Sequence, residues 1–134
     1  MIFQLQENAM TDTANIRIRG RIWLTAAGKN MLGRGRVELL EKIGATGSIS
    51  QAARAMKMSY KAAWDAVDAM GNAFNSPLVN TSTGGKGGGG ARLTPQALAL
   101  IAAYRQLEQR HQEFLGQLER EFSAALVTGE GTIQ

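Results

Sequence analysis

Apolar and polar positions change period several times along this chain, and each change marks an element. Residues 16–24 alternate: Ile16, Ile18 and Ile22 fall on one side, Arg17, Arg19 and Arg21 on the other, with Gly20 between. A two-residue period predicts a half-buried strand, and residues 27–32 are expected to pair with it. The period then lengthens. Val37, Leu40 and Ile43, with Leu39 beside them, form a stripe that predicts a helix over residues 35–45, closed by Gly44 and Gly47. Ser48 and Gln51 stand three apart as in a capping box. They open a short helix over residues 50–57, whose Ala52, Ala53 and Met56 suit a close helix crossing. A turn at Met58 leads to Ser59, a good cap for a third helix ending near Phe74, with Ala63, Val67, Met70 and Phe74 as its core face.

Asn75, Ser76 and Pro77 stop that helix. Residues 78–83 are β-prone, residues 84–90 hold six glycines around Lys86, and residues 91–93 return. Two short helices followed by a hairpin are the layout of a winged helix-turn-helix, a reader of duplex DNA. Thr94 and Pro95 then start a last helix, expected to about Leu126. Along it Leu100, Tyr104, Leu107, His111, Phe114, Leu118 and Phe122 recur every three or four residues, close to a coiled-coil seam. Some thirty residues at ~1.5 Å each make a rod on the order of 45 Å. That is too long for its far half to pack on so small a body, so this seam is expected to be a dimer interface.

The fold class is therefore mainly α with a small β wing: a winged helix-turn-helix over residues 15–94, then a dimerisation helix over 95–126. Residues 1–14 and 127–134 are expected to be a disordered start and a flexible tail.

Charge sharpens this layout. Residues 15–94 carry twelve Lys and Arg against four acids, while residues 95–134 carry three against five. A basic body with a mildly acidic tail suits a polyanion on one side and a different partner on the other. The chain has no cysteine and one histidine, His111, which lies on the seam without ligand-type neighbours. Neither a metal site nor a catalytic constellation is expected, nor is a cofactor. No apolar run reaches the ~18 residues of a membrane span, and a cytoplasmic location is expected.

In a helix-turn-helix the second helix enters the major groove by its N-terminal residues, here Ser59, Tyr60, Lys61, Trp64 and Asp65. Lys61 suits guanine and Asp65 a cytosine amino group, although carboxylates near phosphates are unfavourable; Asp65 and Asp68 have Arg54, Lys57 and Lys61 as alternative partners. Trp64 suits either a thymine methyl or packing against Tyr60. The glycine loop lacks the residue order of a nucleotide-binding loop and reads as a slim wing tip, with Thr83, Lys86 and Arg92 placed for phosphates.

The segments GSISQAARAMKMSYKAAWDAVDAM and LVNTSTGGKGGGGARLT resemble the amino-terminal domain of the ModE family of molybdate-responsive transcriptional regulators. The helix pair more broadly resembles LysR-type regulators. The resemblance implies a homodimer on inverted-repeat operators, repressing molybdate-transport or other molybdenum-related genes. Full-length members continue into a molybdate-binding domain whose oxyanion motif the tail REFSAALVTGEGTIQ does not carry. Molybdate is accordingly expected to act only indirectly, or through a separate molybdate-binding protein. The alternatives are a small oxyanion-binding protein using the glycine loop, and a protein-interaction adaptor built on the long helix.

Overall fold

The computed structural model describes residues 15–83 and 89–133. The expected disorder of residues 1–14, most of the glycine tip with Lys86, and Gln134 lie outside the described residues. The elements run β1 (Trp23–Ala26), β2 (Lys29–Gly33), α1 (Arg34–Thr46), α2 (Ile49–Ala55), α3 (Tyr60–Ala73), β3 (Val79–Ser82), β4 (Gly90–Leu93) and α4 (Pro95–Thr128). The fold is mainly helical, with two antiparallel hairpins.

The first hairpin lies later than the alternation predicts. Residues 16–22 do alternate between half-buried and exposed, yet they join no strand. The Ile18 N–H donates instead to the Glu119 carboxylate at 2.9 Å, and Arg17 Nη1 reaches the same side chain at 3.4 Å. The ladder begins only at Trp23, which faces Gly33; Leu24 faces Leu32, and a bulge follows before Thr25 meets Asn30. Arg36 donates to the carbonyls of Asn30 and Met31 at 3.1 and 2.9 Å, satisfying acceptors at this irregularity.

Among the described residues, those within 22–106 form one compact unit, and residues 107–133 with residues 15–21 form another. The core of the first centres on α1, whose Val37, Leu40 and Ile43 are wholly buried with Leu39. Each side chain of this size contributes about 1.5–3 kcal/mol on burial. Ala52, Ala53 and Ala63 are buried as well, the small residues that let α2 and α3 approach closely. Helix α1 ends at Gly47, whose φ of 69° is the left-handed geometry glycine accepts. Gly44 does not end it but lies inside it, beneath Leu93 of β4.

The capping box is half made: the Ser48 hydroxyl accepts the Gln51 N–H at 3.1 Å, with no return bond from the Gln51 side chain among the described contacts. The bend after α2 uses a positive φ of 56° at Lys57, and the Met58 N–H returns to the Ala53 carbonyl at 3.0 Å. Ser59 then caps α3 by accepting the Ala62 N–H at 3.0 Å. Val67 and Met70 turn inward with Ala63, while Phe74 is half-buried against the same core.

The second hairpin pairs Val79 with Leu93 and Ser82 with Gly90. It is fastened at both ends. Near the tip, Ala91 N–H donates to the Gly47 carbonyl at 2.9 Å. At the base, Thr94 N–H donates to Leu78 and its hydroxyl to Pro77, at 3.0 and 2.9 Å.

Candidate nucleic-acid interface

The outward face of α3 follows from its inward one. With Ala63, Val67 and Met70 committed to the core, Tyr60, Lys61, Trp64, Asp65 and Asp68 are left to solvent. Two contacts, each spanning one helical turn, order this face. Trp64 Nε1–H donates to the Tyr60 hydroxyl at 2.5 Å, and Lys61 Nζ donates to Asp65 Oδ2 at 2.8 Å. The first contact uses the indole donor and leaves the ring edge apolar, while the Tyr60 O–H keeps its proton to donate outward. In the second, the hydrogen bond and the charge of Asp65 raise the Lys61 pKa above its ordinary value, so the ammonium is fully charged at neutral pH.

No acid stands in the first turn of α3, which leaves its positive end suited to phosphate. Arg54, in the last turn of α2, and Lys57, in the bend, are exposed nearby in the chain.

Between α3 and the hairpin lies an open cleft of about 450 Å³. Tyr60 and Trp64 form one wall, Thr81, Ser82, Thr83 and Gly90 the other, and Ser48 and Ser50 close the end. Of the expected recognition residues, Tyr60 and Trp64 line this cleft together with Thr83, whereas Ser59, Lys61 and Asp65 do not. Arg92 does not line this cleft, although it is exposed. Ser48 and Ser50 were not expected at the interface. Their visible signal was the capping pattern, which accounts for Ser48 structurally and gave no reason to look further.

Comparison with known proteins fits this geometry. Residues 35–98, from α1 through the hairpin into α4, match the family described as bacterial regulatory helix-turn-helix protein, lysR family. They form a LysR-type helix-turn-helix domain.

The chain carrying this LysR-type domain is 52% identical over 89 residues to the molybdenum-pterin-binding protein MopB of Rhodobacter capsulatus, spanning 66% of this chain and 33% of that protein. It is 51% identical over 81 residues to the molybdenum transport protein ModE of Herbaspirillum seropedicae, 60% of this chain and 30% of that one. It is 47% identical over 78 residues to the DNA-binding transcriptional dual regulator ModE of Escherichia coli K12, 58% and 30%. The chain therefore spans about a third of the length of the curated relatives it matches.

The long helix meets the expected seam only in part. Tyr104 is 3% exposed within the single chain, and its hydroxyl donates to the Ile22 carbonyl at 3.1 Å. It has almost no surface left for a partner. Leu100 is likewise partly buried against the LysR-type domain's core. His111 is half-buried, its ring 3.1 Å from where a Cβ on Gly20 would stand. Leu115, outside the expected set, is 8% exposed. Leu107 and Phe114, seven residues apart, remain 45% and 55% exposed, with Leu118 and Phe122 half-buried. No helix of the described residues is long and apolar enough to cross a membrane.

Proposed function

We propose that this chain is the DNA-reading part of a molybdenum-related transcriptional regulator, acting as a homodimer on inverted-repeat operators. The observation that carries the reading is the exposed face of α3: an aromatic pair and an ion pair on the second helix of a LysR-type motif, beside a hairpin that completes a cleft. The names of the relatives supply the link to molybdenum and to regulation. Repression is the direction we assign, although one relative is described as a dual regulator.

Base contacts come from Tyr60, Lys61, Trp64 and Asp65. Ser59 and Thr83, with Lys86 and Arg92, meet the backbone. Exposed Leu107 and Phe114 sit at equivalent heptad positions on α4 and support pairing of two such helices. Two copies so joined would address half-sites about 34–36 Å apart, or multiples of that. Molybdate reaches this system through another domain or a separate molybdate-binding protein.

The test is selection of bound duplexes from random DNA with and without molybdate, followed by anisotropy titration of the selected sequence over a salt series. Recovery of an inverted repeat, with affinity falling steeply as salt rises, is the expected result. Absence of duplex binding at low salt overturns the reading. Stoichiometric binding of molybdate by the chain alone, without DNA binding, would favour the oxyanion-binding alternative.

A further inference from the structure

A carboxylate on a helix face that meets DNA is unfavourable unless it has a purpose, and Asp65 is 65% exposed on that face in an ion pair with Lys61. Resting on the DNA-binding reading, we propose that Asp65 is a selectivity residue. Paired with Lys61, it disfavours every duplex that does not offer this face a guanine–cytosine pair.

The geometry of the pair sets what it can read. Residues four apart on a helix hold their Cβ atoms about 5–6 Å from each other, while base pairs are stacked about 3.4 Å apart. Lys61 and Asp65 therefore address one base pair or two adjacent ones. Guanine presents O6 and N7, both acceptors for the Lys61 ammonium, and cytosine presents the N4 amino group, a donor for the Asp65 carboxylate. At such a site both charged groups exchange each other for base partners, and neither is stranded. Adenine places an amino donor where Lys61 requires an acceptor.

On DNA without the matching pair, two unfavourable outcomes remain. With the ion pair kept, Lys61 is withheld from phosphate. With the ion pair broken, Asp65 enters the groove unpartnered between two phosphate strands, a penalty against wrong partners and not a gain for the right one. Lys61 is 85% exposed and reaches Asp65 at 2.8 Å, so the free protein already holds the withheld arrangement. The neighbouring Trp64–Tyr60 hydrogen bond orders the other part of the same face.

The test uses the full chain, wild type against Asp65→Asn and Asp65→Ala, with a random-sequence duplex and a duplex selected by the wild type as probes. In both variants random-duplex affinity should rise about three- to tenfold, the effect of removing one solvent-screened charge a few ångströms from phosphate. The salt slope should steepen by about one as Lys61 becomes a phosphate ligand. Selection repeated with Asp65→Ala should lose its guanine–cytosine constraint at one position per half-site. Adding Lys61→Ala to Asp65→Ala should abolish the gain on random DNA. If both variants bind random duplex no more tightly than wild type, with unchanged slope, the inference is wrong while DNA binding stands. If wild type binds no duplex at all, both fall together.

Discussion

Thr94 joins the base of the wing to the start of α4, and replacing it with valine isolates what that junction is worth. Its hydroxyl donates to the Pro77 carbonyl at 2.9 Å and accepts the Ala97 N–H at 3.2 Å, at a residue 7% exposed. Thr94→Val keeps shape and burial but removes both bonds. Loss of the helix cap costs about 1 kcal/mol, and leaving a partly buried carbonyl without its donor costs about 1–2 kcal/mol more. Thr94→Ser keeps both bonds and loses one methyl, about 0.8 kcal/mol. The valine variant should therefore be less stable than the serine variant by about 2 kcal/mol. With a denaturant slope of about 2 kcal/mol per molar, the urea midpoints differ by about 1 M. Urea titration followed by far-ultraviolet circular dichroism measures this directly. Coincident midpoints for valine and serine would refute the reasoning, because they would mean the hydroxyl contributes nothing that its methyl does not.

Three further changes test the packing and the tethers. Gly44→Ala raises helix propensity by about 1 kcal/mol, but the new Cβ would stand 2.7 Å from Leu93 Cδ1. Overpacking of about 1–3 kcal/mol should win, giving a lower melting temperature than wild type, whereas in a Leu93→Ala background the same Gly44→Ala change should raise the melting temperature of that variant. Ala27 holds a φ of 52° beside Gly28 at 77° in a two-residue hairpin turn. Ala27→Asn creates the favoured Asn-Gly pair and should stabilise by about 0.5–1 kcal/mol in a thermal melt. Glu119, 17% exposed at its side chain, accepts the Ile18 N–H. Glu119→Ala should speed hydrogen exchange at the Ile18 amide about tenfold, as expected on losing a hydrogen bond to a charged acceptor; an unchanged rate would show that apolar contacts alone hold the segment.

Much of the fold was legible because its signals are local. Ser48, Ser59 and Thr94 announce themselves as caps by residue type and spacing, and each accepts the N–H three residues on. The stripes of α1 and α3 name their own core residues. What stayed hidden depends on contacts distant in sequence. Alternation in residues 16–22 is the same whether the partner is a strand or a helix face, so it could not reveal that Ile18 donates to Glu119, 101 residues away. Gly44 carries two meanings in sequence, helix stop or close approach, and only the position of Leu93 decides for the second. The cleft assembles Ser48, Tyr60 and Thr81 from three elements, and no spacing rule links them.

The seam of α4 joins these lessons. A heptad pattern states that a stripe must be covered but is silent about what covers it. Here the chain itself covers part: Tyr104 is buried with its hydroxyl on Ile22, and His111 and Leu115 lie against Gly20. The expectation of a partner for the whole stripe rested on helix length, the far half being too long to pack on so small a body. Length does not register a chain segment running along the helix. Once that segment is in place, the surface left for a second copy contracts to one built on Leu107 and Phe114. That surface is narrower than a full coiled-coil seam, which wants apolar residues at both repeating positions over several heptads. If the proposed dimer forms through that surface, loosening residues 15–21 through Glu119→Ala, which removes the acceptor of the Ile18 N–H, should change self-association as well as hydrogen exchange.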